Sequence, residues 1–327
     1  MERTAIANLS SLEYEHPLDR IALENLKKVP ILPKLIEVVN IPYNTLIRGV
    51  HSGSNLRINE RQMPSVYKRM REACEILEVD EPEFYLGSER DINAYTACPD
   101  KPIVRISRGC LEDMDDDELM FVLGHELAHI KSEHITYSTL ARILSDGMLE
   151  VVLSSVPGLG LASGGLNMAL NYALFTWYQS AELTCDRGGY LVSQNFTASC
   201  TALMKLAGFS QKHINELSLD EFINQARNFE NIESDTLGSV QKIILSYMAA
   251  SHPYTVSRVH ELLKFEEGGT YSDILQRKTK QDFTALPEAE ADKDTSPAST
   301  QNASDTAKDA LDKTKGLAGG VMSRFKK

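Results

Sequence analysis

The chain has 327 residues, room for one large domain or two small ones around a real apolar core. Its 42% hydrophobic and 24% charged residues are ordinary for a soluble globular protein. A formal net charge of −12 excludes nucleic acid as an expected partner, because binding a phosphate backbone takes clustered Lys and Arg.

The N-terminal residues carry acidic groups and no apolar core segment, so they do not read as a signal peptide. The five cysteines are scattered and odd in number, which argues for a reducing compartment, and a cytoplasmic location is the expectation. Residues 1–60 read as an N-terminal helical extension. Short helical patterns over 17–40 are broken by Pro30 and Pro33, and Ile41 to Asn59 reads as irregular or partly extended.

The main domain is expected over 61–268. It begins with an amphipathic helix in which Val66, Met70, Ala73, Cys74 and Leu77 share one face. Two short strands follow, at EFYLG and PIVRIS, with Asn93, Ala94 and Tyr95 between them. The acidic run Asp115 to Glu118 then opens a helix, since negative charge favours a helix N-terminus, and that helix is expected to run through His134.

From Val151 to Ala181 there is no charged residue. Pro157 and several glycines break this run, so it reads as two buried or lid-like pieces joined by a turn. A membrane-dipping hairpin is the alternative, giving the chain a peripheral membrane contact through 151–181. A helix resumes near Leu166 and passes through Glu182 to about Ser193, and further helical patterns cover 219–230, 236–250 and 254–265. The composition of 281–327 is that of a disordered tail. No feature of the sequence sets an oligomeric state.

His125-Glu126-Leu127-Ala128-His129 carries the chemistry. Positions i and i+4 lie on one face of a helix, so both imidazoles can reach a single zinc ion. Glu126 reaches the water on that ion, whose acidity zinc raises, and takes its proton while the metal polarises a substrate carbonyl. The pattern arises by chance in roughly one chain of this length in a hundred. Here it is flanked by Phe121, Val122, Leu123 and Ile130, and buried His and Glu without a metal would be costly.

A catalytic zinc needs a third protein ligand. His134 lies five residues after His129, about 140° around a helix, and reads as structural or surface. Glu182 is the better candidate, 53 residues after His129 (182 − 129) and on a separate helix. Asp186, one turn on, shares its face and can accept the outer N–H of a ligating His.

HELAHIKSEH followed by AELTCDRGG resembles the gluzincin peptidases that include the CAAX prenyl endopeptidase and HtpX, over residues 60–265. The resemblance implies that Asn93, Ala94 and Tyr95 form an edge strand binding substrate backbone. It also implies that His252, in Ser251-His252-Pro253, stabilises the oxyanion or gates the metal, and that Arg258 orders the site. The multi-spanning members carry several long apolar helices, and this chain has only the broken 151–181 segment, so prenylated substrates do not follow.

The expected fold is α+β and mostly helical, a gluzincin domain with a small sheet beside the active-site helix. The expected activity is zinc-dependent endopeptidase action on protein or peptide substrates, in protein quality control. The alternative is a latent or non-cleaving zinc-bound relative, with the 151–181 segment, His252 or Cys98 blocking the metal's open position.

Overall fold

Four short strands make the only sheet among the described residues, β1 (Leu56–Ile58), β2 (Glu83–Gly87), β3 (Ala94–Ala97) and β4 (Ile103–Ser107), in the order β1-β2-β4-β3. The computed structural model describes residues 3–145, 164–208, 211–236 and 255–276. β2 and β4 run parallel, while β1 and β3 pair antiparallel at the two edges. Every residue of β4 is buried, as a central strand covered on both faces requires.

Helices account for most of the rest. Before the sheet come α1 (Pro17–Lys27) and α2 (Leu32–Ser54), with α3 (Pro64–Leu77) between β1 and β2. After it come α4 (Arg108–Asp113), α5 (Asp116–Lys131) and α6 (Ile135–Ser145). The remainder are α7 (Gly164–Ser193), α8 (Phe196–Gly208), α9 (Leu219–Thr236), α10 (Thr255–Glu267) and α11 (Thr270–Gln276). The fold is thus mostly helical with a small mixed sheet.

Helix α5 is set by its first turn. Asp115 accepts from the backbone of Asp117 and Glu118, and Glu118 accepts in return from Asp115 N at 2.8 Å. Such a reciprocal cap is worth about 1 kcal/mol. Lys205 neutralises the buried Glu118 carboxylate at 2.6 Å. The helix ends earlier than the sequence suggested: Glu133 adopts a left-handed backbone, with φ of 58°, so His134 precedes a new helix rather than continuing the old one.

Helices α5 and α7 approach until almost no side chain fits between them. A Cβ on Gly124 would meet Val192 at 2.5 Å, and one on Gly189 would meet the Phe121 carbonyl at 2.7 Å. Gly188 faces Ala128 in the same way. Small residues at these positions let the two helices run backbone to backbone, and this sets His125 and His129 opposite Glu182.

The expectation of an irregular stretch over 41–59 is corrected, since α2 continues through Pro42 to Ser54 before β1. Pro42 removes one intrahelical hydrogen bond, but burial of the same helix outweighs that loss. Leu32 and Leu35 are buried with Leu140, Leu174 and Trp177, and Ile47 packs on Tyr85 and Ile103. Each fully buried Leu contributes about 1.5–3 kcal/mol. Pro33 lies in the first turn of α2, where its missing N–H is not needed.

The N-terminal residues join the same body. Ile6, Leu9 and Tyr14 belong to the main core with Phe84, Phe121 and Leu127. Of the charge-free run, 151–163 lies outside the described residues, while 164–181 forms the first half of α7. Leu170, Leu174, Trp177 and Ala181 there are buried among protein side chains. No helix of the described residues is long and apolar enough to cross a membrane. The helical pattern over 236–250 and the tail over 281–327 also lie outside the described residues.

Candidate metal centre

His125 and His129 project from α5 towards the fully buried carboxylate of Glu182 on α7. His125 Nε2 lies 3.4 Å from Glu182 Oε2, and His129 Nε2 lies 3.4 Å from Glu182 Oε1. A tetrahedral zinc with bonds of ~2.0–2.1 Å separates its ligand atoms by about 3.3–3.4 Å. The three side chains therefore fit a single zinc ion, and a divalent cation would neutralise a carboxylate that no solvent reaches.

Asp186, one turn after Glu182, orders the first imidazole. His125 Nδ1 lies 3.0 Å from Asp186 Oδ1. Arg258, from α10, donates to both oxygens of the same carboxylate, through Nε at 2.7 Å and Nη2 at 2.6 Å. Burial alone would raise the Asp186 pKa, but the Arg258 guanidinium outweighs it and holds the carboxyl below its usual range. Burial likewise opposes charge on His125, yet Glu182 and Asp186 push its pKa up to about 10. On His129 burial prevails over Glu182, and the pKa is lowered.

Glu126 follows His125 and faces the sheet. Thr96, on the edge strand β3, donates to Glu126 Oε2 at 2.6 Å and also lies 3.0 Å from the Glu126 carbonyl. The hydroxyl thus holds the carboxylate from outside its own helix. The sequence reading missed Thr96, since nothing local marks a threonine thirty positions before its partner.

A sulfur also approaches, because Cys185 Sγ and the ligand nitrogens of His125 and His129 lie within 4.8 Å of one another. Glu182 fits the metal better. Its carboxylate oxygens lie 3.4 Å from the nearer nitrogen of each imidazole, on a group already anionic. Cys185 instead lies 3.5 Å from His134 Nδ1. His134 is wholly buried, with Nε2 3.0 Å from Asp19 on α1, which also accepts from Thr184 at 2.6 Å. Its role is structural, tying the N-terminal segment to α7.

The remaining candidates separate. Asn93 immediately precedes β3, and Ala94 and Tyr95 lie on that edge strand. The Tyr95 hydroxyl meets His51 Nε2 at 2.8 Å. The reading of Cys98 as a blocking ligand is corrected. That residue packs in a separate cluster with Tyr85 and Ile103, its sulfur 3.6 Å from the Asn44 carbonyl. His252 lies outside the described residues.

Comparison with known proteins agrees with this geometry. Residues 58–266 match the family described as Peptidase family M48. The chain is 29% identical over 280 residues to the plastoglobule-localized metallopeptidase 48, chloroplastic, of Arabidopsis thaliana, covering 84% of this chain and 78% of that protein. It is 23% identical over 236 residues to a protease HtpX homolog of Polynucleobacter necessarius, covering 66% of this chain and 78% of that one. Against protease HtpX homolog 2 of Methanosarcina acetivorans the identity is 23% over 173 residues, 47% of this chain and 59% of the relative. No solved structure matches the chain significantly.

Proposed function

The chain belongs to peptidase family M48 and is a zinc-dependent protease, and from that premise we propose that His125, His129 and Glu182 hold one zinc ion while Glu126 acts as the general base. The observation that carries this assignment is the placement of Glu182 at 3.4 Å from both imidazoles. The architecture proposed is that of a gluzincin, two His on one helix and a Glu on a second. A zinc ion there supplies Lewis acidity, which polarises the scissile carbonyl and acidifies water.

The chain's own residues do the rest. The edge of β3 from Asn93 to Tyr95 offers unpaired backbone groups to an extended peptide, which docks as an added strand. Thr96 keeps the Glu126 carboxylate turned towards that strand. Glu126 accepts the proton of the attacking water and hands it to the departing amine, so one carboxylate serves as base and then acid. Asp186 fixes the His125 ring, and Arg258 fixes Asp186.

The substrates are proteins or peptides, and clearance of damaged proteins is the proposed role. All five cysteines are free and buried, which supports a reducing location such as the cytoplasm. The Arabidopsis relative is named as chloroplastic and plastoglobule-localized, and that favours a peripheral association with a lipid body as the second reading of location. For the activity, treatment with a chelator abolishes casein cleavage by the purified chain, and one equivalent of zinc restores it. Chelator-insensitive cleavage would refute the proposal.

A further inference from the structure

The two imidazoles of the proposed centre are not held alike. His125 meets Asp186, but among the described residues the buried Nδ1 of His129 has no hydrogen-bond partner. The His129 ring is met edge-on by the ring of His134, with centroids 5.4 Å apart and planes at 73°. The backbone joins the same two residues, since His134 N–H donates to the His129 carbonyl at 3.0 Å. Behind His134 stands Asp19, on α1, whose side chain is fully buried. Its Oδ2 lies 3.0 Å from His134 Nε2 and accepts from the Thr184 hydroxyl at 2.6 Å. Thr184 sits on α7 between Glu182 and Asp186, and its hydroxyl accepts in turn from the backbone of His16 at 3.0 Å.

One carboxylate oxygen thus bridges the helix that carries Glu182 and the residue that packs on His129. Burial opposes charge on Asp19, yet His134 and the Thr184 hydroxyl outweigh it and hold the carboxyl below its usual range. An imidazole with no acceptor at its outer nitrogen lacks the restraint that Asp186 gives His125, so packing has to supply it. The His134 ring supplies it only while that ring is itself held. Of the groups at its two nitrogens, Cys185 is a weak partner at 3.5 Å and Asp19 is a charge at 3.0 Å. We infer that Asp19, acting through His134, positions His129 for the metal, so that the N-terminal segment completes the centre. This rests on the assignment of His129 as a ligand. Asp19 lies well before residue 58, where the match to peptidase family M48 begins.

Asp19 is a positioning residue, and its role is separable from plain stability. The test uses the full-length chain with cobalt(II) in place of zinc, because the visible absorption of cobalt follows ligand geometry. Asp19→Asn keeps the shape and removes the charge. Its cobalt bands shift, and zinc affinity, measured by competition with a chromogenic chelator, falls about 10-fold. Arg3→Met loosens the same segment at its far end, where Arg3 donates to the Ser193 carbonyl at 3.1 Å and to Glu72 at 2.8 Å. That variant lowers the thermal midpoint but keeps the wild-type cobalt spectrum and zinc affinity. If Asp19→Asn does not fold, the double variant with His134→Gln leaves neither charge unpaired and shows the same spectral shift. A wild-type spectrum and zinc affinity in the Asp19 variants would overturn the inference, whatever their thermal midpoint. An equal shift in Arg3→Met would overturn it too, by assigning the effect to stability. A wild type that takes up neither metal would remove the ligand assignment itself, so the two failures are distinguishable.

Discussion

His125 and Asp186 sit on different helices with Nδ1 and Oδ1 3.0 Å apart, and this contact decides which imidazole nitrogen faces Glu182. With Nδ1 held against Asp186, Nε2 is the nitrogen turned towards Glu182, where a metal ion would take the place of its proton. Arg258 closes the arrangement by binding both Asp186 oxygens.

Asp186→Asn keeps the shape and removes the charge that orients His125. Zinc affinity, measured by competition with a chromogenic chelator, falls by about 10- to 100-fold. Asp186→Ala goes further by leaving Arg258 buried without its carboxylate, and equilibrium unfolding shows a loss of about 3–5 kcal/mol. Wild-type zinc affinity in the Asn variant would mean that Asp186 does not orient the ligand.

The same pair sets an acid limit. The Asp186 pKa is depressed below its ordinary value of 3.8, so its contribution to stability is complete above that value and is lost as pH falls through the lower folded-state pKa. With a chelator present throughout, the difference in urea midpoint between wild type and Asp186→Asn shrinks steadily below pH 3.8. A difference that stays constant down to the acid transition would assign the stabilisation to something other than this ion pair.

Glu182 and Cys185 compete on geometry for the third ligand position, and two substitutions separate them. Glu182→Gln removes the negative charge of the carboxylate that faces both histidines and lowers zinc occupancy to a small fraction. Cys185→Ser leaves stoichiometric zinc, because the thiol lies beside His134, 3.5 Å from its Nδ1. The reverse pattern of zinc contents would make the sulfur the ligand.

The contact between α5 and α7 predicts a remote effect. In Gly189→Ala the added methyl meets the Phe121 carbonyl, and the helices must separate to admit it. Overpacking of this kind costs about 1–3 kcal/mol. Here it also draws Glu182 away from His125 and His129, so the unfolding midpoint and zinc affinity fall together. A stability loss with unchanged zinc affinity would show that the metal site is not held by this contact.

Much of the site was legible because its parts are local. His125 with His129, and Glu182 with Asp186, are pairs at helical spacing, and the cap at Asp115 announces α5 before the motif begins. What stayed hidden was set by partners distant in the chain. Thr96 reaches Glu126 from the edge strand, and no periodic pattern marks such a contact. The stretch 41–59 read as irregular because the packing of Leu35 and Ile47 that keeps α2 helical comes only with the tertiary fold. The stop at Glu133 was likewise unmarked, since the left-handed residue there is not the glycine that usually signals a helix end. Conversely, Gly188 and Gly189 were plainly visible in the sequence, but their meaning depends on α5 lying against them.

The central claim is that Glu126 performs the proton transfer at a zinc held by its neighbours. The most direct measurement is casein cleavage by Glu126→Gln alongside its zinc content, since the amide preserves shape and cannot accept the proton. One zinc per chain with cleavage reduced by about 10²- to 10⁴-fold is the predicted result. Full zinc with cleavage near the wild-type rate would contradict it.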